Sequence, residues 1–132
     1  MTGTQEQGSS ALAAVSNAMV RLHKEQFGRG PSNARAHFAG PDALMCVLDD
    51  ALLPAERKMV EMGDQGRVRE SRIAFQAATQ QEFVNAVEQI LLRKVSAFGS
   101  GLDPDRGTVF ECFAFEPRES GGNGGGELRR DR

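Results

Sequence analysis

The sequence contains no tryptophan and no tyrosine, and cysteine occurs only twice. Without those amphipathic rings a stacking platform for bases or sugars is not expected, and the phenylalanines are left to the core. Cys46 and Cys112 each lie inside an apolar segment that reads as a strand, so both thiols are expected to be buried, small hydrophobes in a reducing compartment. A disulfide between them is conceivable only if the two strands are neighbours. Charge of one sign is lacking as well. The formal net charge is −2, and the basic residues are scattered, which excludes a general attraction to nucleic acid or to an anionic membrane surface. The longest apolar run, residues 43–48, is far below the ~20 residues that span a bilayer, so no membrane insertion is expected. Residues 1–8 are polar, with neither a basic segment nor an apolar stretch, and are not expected to act as a secretory signal. The expected location is the cytoplasm.

Catalytic constellations are also missing. His23 and His37 have no Cys or His partner at ligand spacing, so neither a metal nor a cofactor is expected. Ser16 and Ser71 have no base that the sequence identifies, and no glycine-flanked nucleophile turn exists, so the chain is not expected to be an enzyme.

What is present is a 132-residue chain with 39% hydrophobic and 26% charged residues, which fits one globular domain with polar ends. Residues 1–9 read as a disordered N-terminal tail, residues 10–117 as the domain, and the glycine-rich residues 118–132 as a disordered C-terminal tail. Leu12, Val15, Met19 and Leu22 repeat at helical spacing over residues 10–27, and Gly28 and Pro31 end that helix. Residues 33–38 alternate as a half-buried strand toward an edge, and residues 43–48 form a more central strand. A three-residue turn at Gly40, Pro41 and Asp42 puts Ala36 opposite Cys46, Phe38 opposite Leu44 and His37 beside Met45. A short helix starts at Pro54 and is closed by Gly63. Residues 67–94 contain neither Gly nor Pro and read as one long helix. Strands over residues 95–100 and 108–115 flank a turn at residues 103–107. The pattern predicts an α+β fold in the order α-β-β-α-α-β-β, its two hairpins forming one four-stranded mixed sheet packed by the long helix.

Two loops carry candidate site residues. Gly28, Arg29, Gly30 and Pro31 offer backbone N–H groups and a guanidinium to an anion or a partner. The loop follows a helix and precedes a strand, however, which is also how a plain helix-ending turn reads. Asp103 and Asp105 flank Pro104 and offer hard oxygen ligands to a cation, although Asp-Pro-Asp-x-Gly is equally ordinary turn chemistry.

Certain stretches carry a family resemblance. Val20, Arg21, Leu22, His23, Lys24, Glu25, Gln26, Phe27, Gly28, Arg29, Gly30 and Pro31 follow one another. Leu53, Pro54, Ala55, Glu56 and Arg57 come next, then Val68, Arg69, Glu70, Ser71 and Arg72, then Asp103, Pro104 and Asp105 with Val109 and Phe110. In this order the chain resembles the small bacterial MpsC-like family over about residues 12–117. The resemblance implies association with a sodium-translocating system that generates membrane potential. It further implies a non-enzymatic accessory role beside membrane components that handle cations or inorganic carbon, with an integral membrane transport subunit as partner. It carries over no catalytic residue. One departure is Leu53, where the family has Thr: leucine cannot accept the hydrogen bond from the first helical turn, a loss of ~1 kcal/mol, so the short helix is expected to fray.

A small regulatory domain that binds an anionic metabolite through Arg29 is the alternative reading. An enzyme would require titratable groups converging in a pocket. A homodimer is expected in either case. A helix over residues 67–94 is ~42 Å long and overhangs a core of ~100 residues. The last strand sets Val109, Phe113 and Phe115 on one face and Phe110, Cys112 and Ala114 on the other, which asks for cover on both sides of the sheet.

Overall fold

A computed structural model describes residues 2–118. The helix α1 spans Thr2–Phe27, followed by strands β1 (Asn33–Phe38) and β2 (Ala43–Asp49), helices α2 (Pro54–Glu61) and α3 (Gln65–Leu91), and strands β3 (Val95–Asp103) and β4 (Thr108–Phe115). The order is α-β-β-α-α-β-β and the fold is α+β. α1 begins eight residues ahead of the expected Ser10, over a stretch that has no proline and only Gly3 and Gly8 to weaken it. The glycine-rich segment beyond Arg118 lies outside the described residues.

The four strands form one sheet in the order β1-β2-β4-β3, and every pair is antiparallel. The expected mixed sheet is therefore corrected. α3 carries the chain back along the sheet so that β3 runs in the direction of β2, but β4 lies between them and no parallel pair forms. The first hairpin has the expected register, with Ala36 opposite Cys46, Phe38 opposite Leu44 and His37 opposite Met45. β1 is an edge strand and β2 is central. Gly28 and Gly63 adopt φ of +84° and +83° just past their helices, the left-handed conformation that glycine enters at least cost. α2 has no side-chain cap at Leu53, as expected, yet its start is held: the Leu53 N–H donates to Glu56 Oε1 at 2.8 Å, half of a capping box.

Both long helices cover one face of the sheet. Val15, Met19 and Leu22 of α1 and Phe83 and Val87 of α3 join Ala36, Leu44, Cys46, Leu48, Val109, Phe113 and Phe115 in a single core. Burial of these apolar faces supplies the main stabilisation, at roughly 25 cal/mol per Å² removed from water. The opposite face of the sheet is open. Met45 is 39% and Phe110 36% exposed there, Cys112 is exposed, and a Cβ added at Gly99 or Gly101 would meet nothing within 4 Å.

The expectation of two buried thiols is half corrected by this arrangement. β2 and β4 are neighbours, but Cys46 stands opposite Glu111 and Cys112 opposite Met45. The strand alternation therefore sends the two thiols to opposite faces, Cys46 fully buried and Cys112 exposed, and both are free. Burial raises the Cys46 thiol to about 12, which keeps it protonated and inert.

Candidate functional site

The Gly28 to Pro31 loop is a clasp. Arg29 donates from Nη1 to the Asp50 and Leu52 carbonyls, at 2.8 and 2.9 Å, and from Nη2 to Asp50 Oδ2 at 2.8 Å. Arg57 binds the other oxygen of the same carboxylate, and these two arginines hold the Asp50 carboxyl below its ordinary range. Asp50 itself has φ of +55°, so the clasp fixes a left-handed non-glycine residue just after β2. Gly30 eases the packing, since a Cβ there would stand a tight 3.3 Å from the Val20 carbonyl oxygen. The guanidinium that the sequence offers to an anion or a partner is thus engaged by the protein's own backbone and by Asp50, as the reading of a helix-ending turn has it.

The Asp103 and Asp105 pair follows turn chemistry. Asp103 Oδ1 accepts from the Arg106 N–H at 3.3 Å, and Asp105 Oδ1 accepts from the Gln65 amide at 3.1 Å. Among the described residues no group of three or more His, Cys, Asp or Glu side chains is placed to hold a metal ion.

The residues that do converge are others. A cleft of about 120 Å³ opens between α3 and the β3-β4 hairpin, closed at one side by His23 and Phe27 of α1. α3 contributes Arg69, Arg72, Ile73, Gln76, Thr79 and Phe83, β3 contributes Phe98, Ser100, Gly101 and Leu102, and β4 contributes Val109 and Glu111. A volume in this range is near that of the ~150 Å³ apolar cavity that admits benzene, so it suits a body of about one or two rings.

Glu111 sits on the inward face of the central strand β4 and is only 4% exposed. His23 Nε2 lies 3.4 Å from its Oε2, and His23 is itself 3% exposed. His23 Nδ1 donates to the Met19 carbonyl one helical turn back, at 3.1 Å. The imidazole is clamped between rings, stacked on Phe27 at 5.5 Å and met edge-on by Phe83 at 5.2 Å. Burial lowers the His23 pKa to about 4, with the Met19 carbonyl pulling the other way. Burial raises the Glu111 carboxyl to about 8, only partly offset by Ser100 and by the Arg72 charge. At neutral pH the dyad is therefore uncharged and holds its proton on the carboxyl.

Beside it, Arg72 is 9% and Glu56 8% exposed. The guanidinium donates from Nε to Glu56 Oε2 at 2.8 Å and from Nη2 to Glu56 Oε1 at 2.6 Å and to the Ala51 carbonyl at 2.8 Å. Its carbon lies 4.1 Å from the centre of the Phe27 ring, so Phe27 carries the imidazole and the guanidinium together. Arg69 stands at the rim and donates to the Leu102 carbonyl at 3.0 Å. Taken together the site is an apolar, aromatic cavity with a single proton-bearing dyad at its floor and one guanidinium at its edge. It can shelter an apolar body, exchange hydrogen bonds with it and hold a proton. Sequence reading missed it because His23, Arg72 and Glu111 sit on three distant elements; the available signal was a glutamate in register with Val109 and Phe113 on an otherwise apolar strand face.

The MpsC family model, described as a Na+-translocating membrane potential-generating system, matches residues 8–117. No curated protein and no solved structure matches the chain.

Proposed function

The chain belongs to the MpsC family, and from that premise we propose that it is a non-enzymatic accessory protein of a membrane cation-translocating system, acting from the cytoplasmic side. The family match across nearly all of the described domain carries this reading, since the family's description associates it with a Na+-translocating, membrane-potential-generating system. No helix among the described residues is long and apolar enough to cross a membrane. The test is a pull-down of the tagged full chain from native membranes solubilised in mild detergent. An integral membrane transport subunit should co-purify; recovery of soluble proteins alone counts against the proposal.

The accessory protein acts as a homodimer in this reading. Support comes from the open face of the sheet, where Met45, Phe110 and Cys112 stand in water while both long helices cover the other side. Stacking two such faces is the standard way to bury them, ~10 Å apart. α3 also runs unbroken over Gln65–Leu91, ~40 Å. Phe75, by contrast, packs its ring 4.7 Å from Phe27 of its own chain, which favours the sheet face over the helix as the interface. Light scattering at micromolar concentration should give twice the 14.3 kDa of one chain, and Phe110→Glu should halve that mass. A wild-type mass near 14.3 kDa rules the dimer out.

A further inference from the structure

The protonation chain that ends at Glu111 has a fixed polarity. The Met19 carbonyl can only accept, so His23 Nδ1 carries a hydrogen and donates to it. With Nδ1 committed, the contact between His23 Nε2 and Glu111 Oε2 holds one proton, on whichever of the two atoms it rests. In both arrangements Glu111 Oε1 is left without a hydrogen. It is also left without a partner in hydrogen-bond geometry: Oε1 is a buried oxygen to which no group donates among the described residues, the Ser100 hydroxyl lying near enough to favour the charged carboxylate but making no such bond. A buried acceptor without a donor has given up its hydrogen bonds to water for nothing in return, so its environment is incomplete as it stands.

The oxygen belongs to a residue that lines the cleft, among Phe27, Phe83, Phe98 and Leu102. We propose that the cleft binds a small, uncharged, largely apolar molecule bearing one hydroxyl or N–H group, which donates its hydrogen bond to Glu111 Oε1 while its apolar or aromatic body lies against these side chains. The geometry selects each part of that description. The acceptor-only oxygen requires a donor. The aromatic walls reward a flat or aliphatic body. A cationic head is disfavoured by Arg69 at the rim and Arg72 in the wall, and an anionic head meets the lone pairs of Oε1. Ile73 lines the cleft and is 64% exposed, so the cleft meets solvent on that side and such a molecule has a way in.

Indole is a suitable probe, with 1-methylindole as the control that keeps the body and loses the donor. Chemical-shift titration of the ¹⁵N-labelled full chain at pH 6.5 should show saturable shifts at Ser100, Leu102 and Glu111, with indole at least ten-fold tighter than the methylated control. Glu111→Gln should keep that preference, because its amide N–H₂ can donate to His23 Nε2 while its carbonyl faces the cleft. Glu111→Leu should erase the preference and leave both molecules binding alike. Equal affinities in the wild type, a preference that survives Glu111→Leu, or no saturable shift with either molecule overturns the proposal. Since none of these readouts involves a membrane component, failure here leaves the accessory role standing, and failure of the pull-down leaves this site standing.

Discussion

The wild-type protein should lose about 2 kcal/mol of stability between pH 6.5 and pH 8, and Glu111→Gln should abolish that loss. The Glu111 carboxyl is raised from 4.5 to about 8 in the fold, so across this window the native chain keeps a proton that the unfolded chain has released. Stability from a raised carboxyl is complete below the unfolded value and is lost as pH rises through the folded one. His23 works in the opposite sense. Its folded value is lowered from 6.5 to about 4, so between these two values the unfolded chain binds the extra proton and stability rises with pH. From about pH 4.5 to 6.5 the two slopes, about 1.4 kcal/mol per pH unit each, cancel, and the wild-type profile is flat there. Above pH 6.5 only the glutamate slope remains, until it ends near pH 8. The charged and polar groups facing the carboxyl are His23 from α1, Arg72 from α3, Ser100 from β3 and Cys46 from β2, and none of the other three reverses the sign. In Glu111→Gln the histidine slope stands alone, so stability should climb by about 3 kcal/mol from pH 4 to 6.5 and then level. Urea denaturation at half-unit pH steps measures both curves. Parallel profiles for the two proteins would refute the assignment.

Replacing Arg72 by methionine should cost about 3–5 kcal/mol, the range for removing one member of a buried ion pair. The methionine fills similar space against Phe27 but leaves the 8%-exposed Glu56 carboxylate without the two hydrogen bonds from Arg72, with only the Leu53 N–H remaining, and the Ala51 carbonyl without the Arg72 donor. Burial drives the Glu56 pKa upward, yet the Arg72 hydrogen bonds and the Leu53 N–H outweigh it, and the carboxyl lies below its ordinary value. The pair's contribution is therefore present above about pH 4.5 and disappears as pH falls through the lower folded value. The double variant Arg72→Met with Glu56→Leu should recover most of the loss, because a matched apolar pair removes both desolvated charges at once. A double-mutant cycle separates that coupling from the lost capping contact of Glu56 with Leu53. A cost below ~1 kcal/mol for Arg72→Met would show that Glu56 reaches water and that the pair is a surface one.

Local punctuation made much of the fold readable from the sequence. Gly28 and Gly63 mark helix ends because the left-handed conformation there favours glycine, and the three-residue turn at Gly40 set the register of the first hairpin through strand alternation alone. Pairing between distant strands is a different matter. Nothing local to β4 states that it enters between β2 and β3, so the mixed sheet was a natural reading and the antiparallel one depends on tertiary packing. The same limit hid the cleft. Arg72 follows Val68 by four residues on the buried stripe of α3, and Glu111 alternates with Val109 and Phe113, so each is a charged residue at an apolar position. Periodicity flags them individually, but only the fold brings Glu111 to His23 and Arg72 to Glu56. The Gly28 to Pro31 loop is the opposite case: its composition suits anion binding as well as a helix-ending turn, while Asp50 and the carbonyls that engage Arg29 come from the far end of β2.

The strand order also bears on how the chain is made. A ribosome delivers α1 and the first hairpin early and β4 after all the other described elements, yet β4 occupies a central position, flanked by β2 and β3. Until residue 115 has emerged, β2 has an unpaired edge, β3 has no neighbour, and the core lacks Val109, Phe113 and Phe115. A nascent chain arrested before that point exposes strand edges and apolar surface together, the combination that recruits chaperones and promotes aggregation. Acquisition of the fold thus waits for β4, and His23, carried on the first of the described elements to be made, meets its carboxyl partner only when that strand emerges.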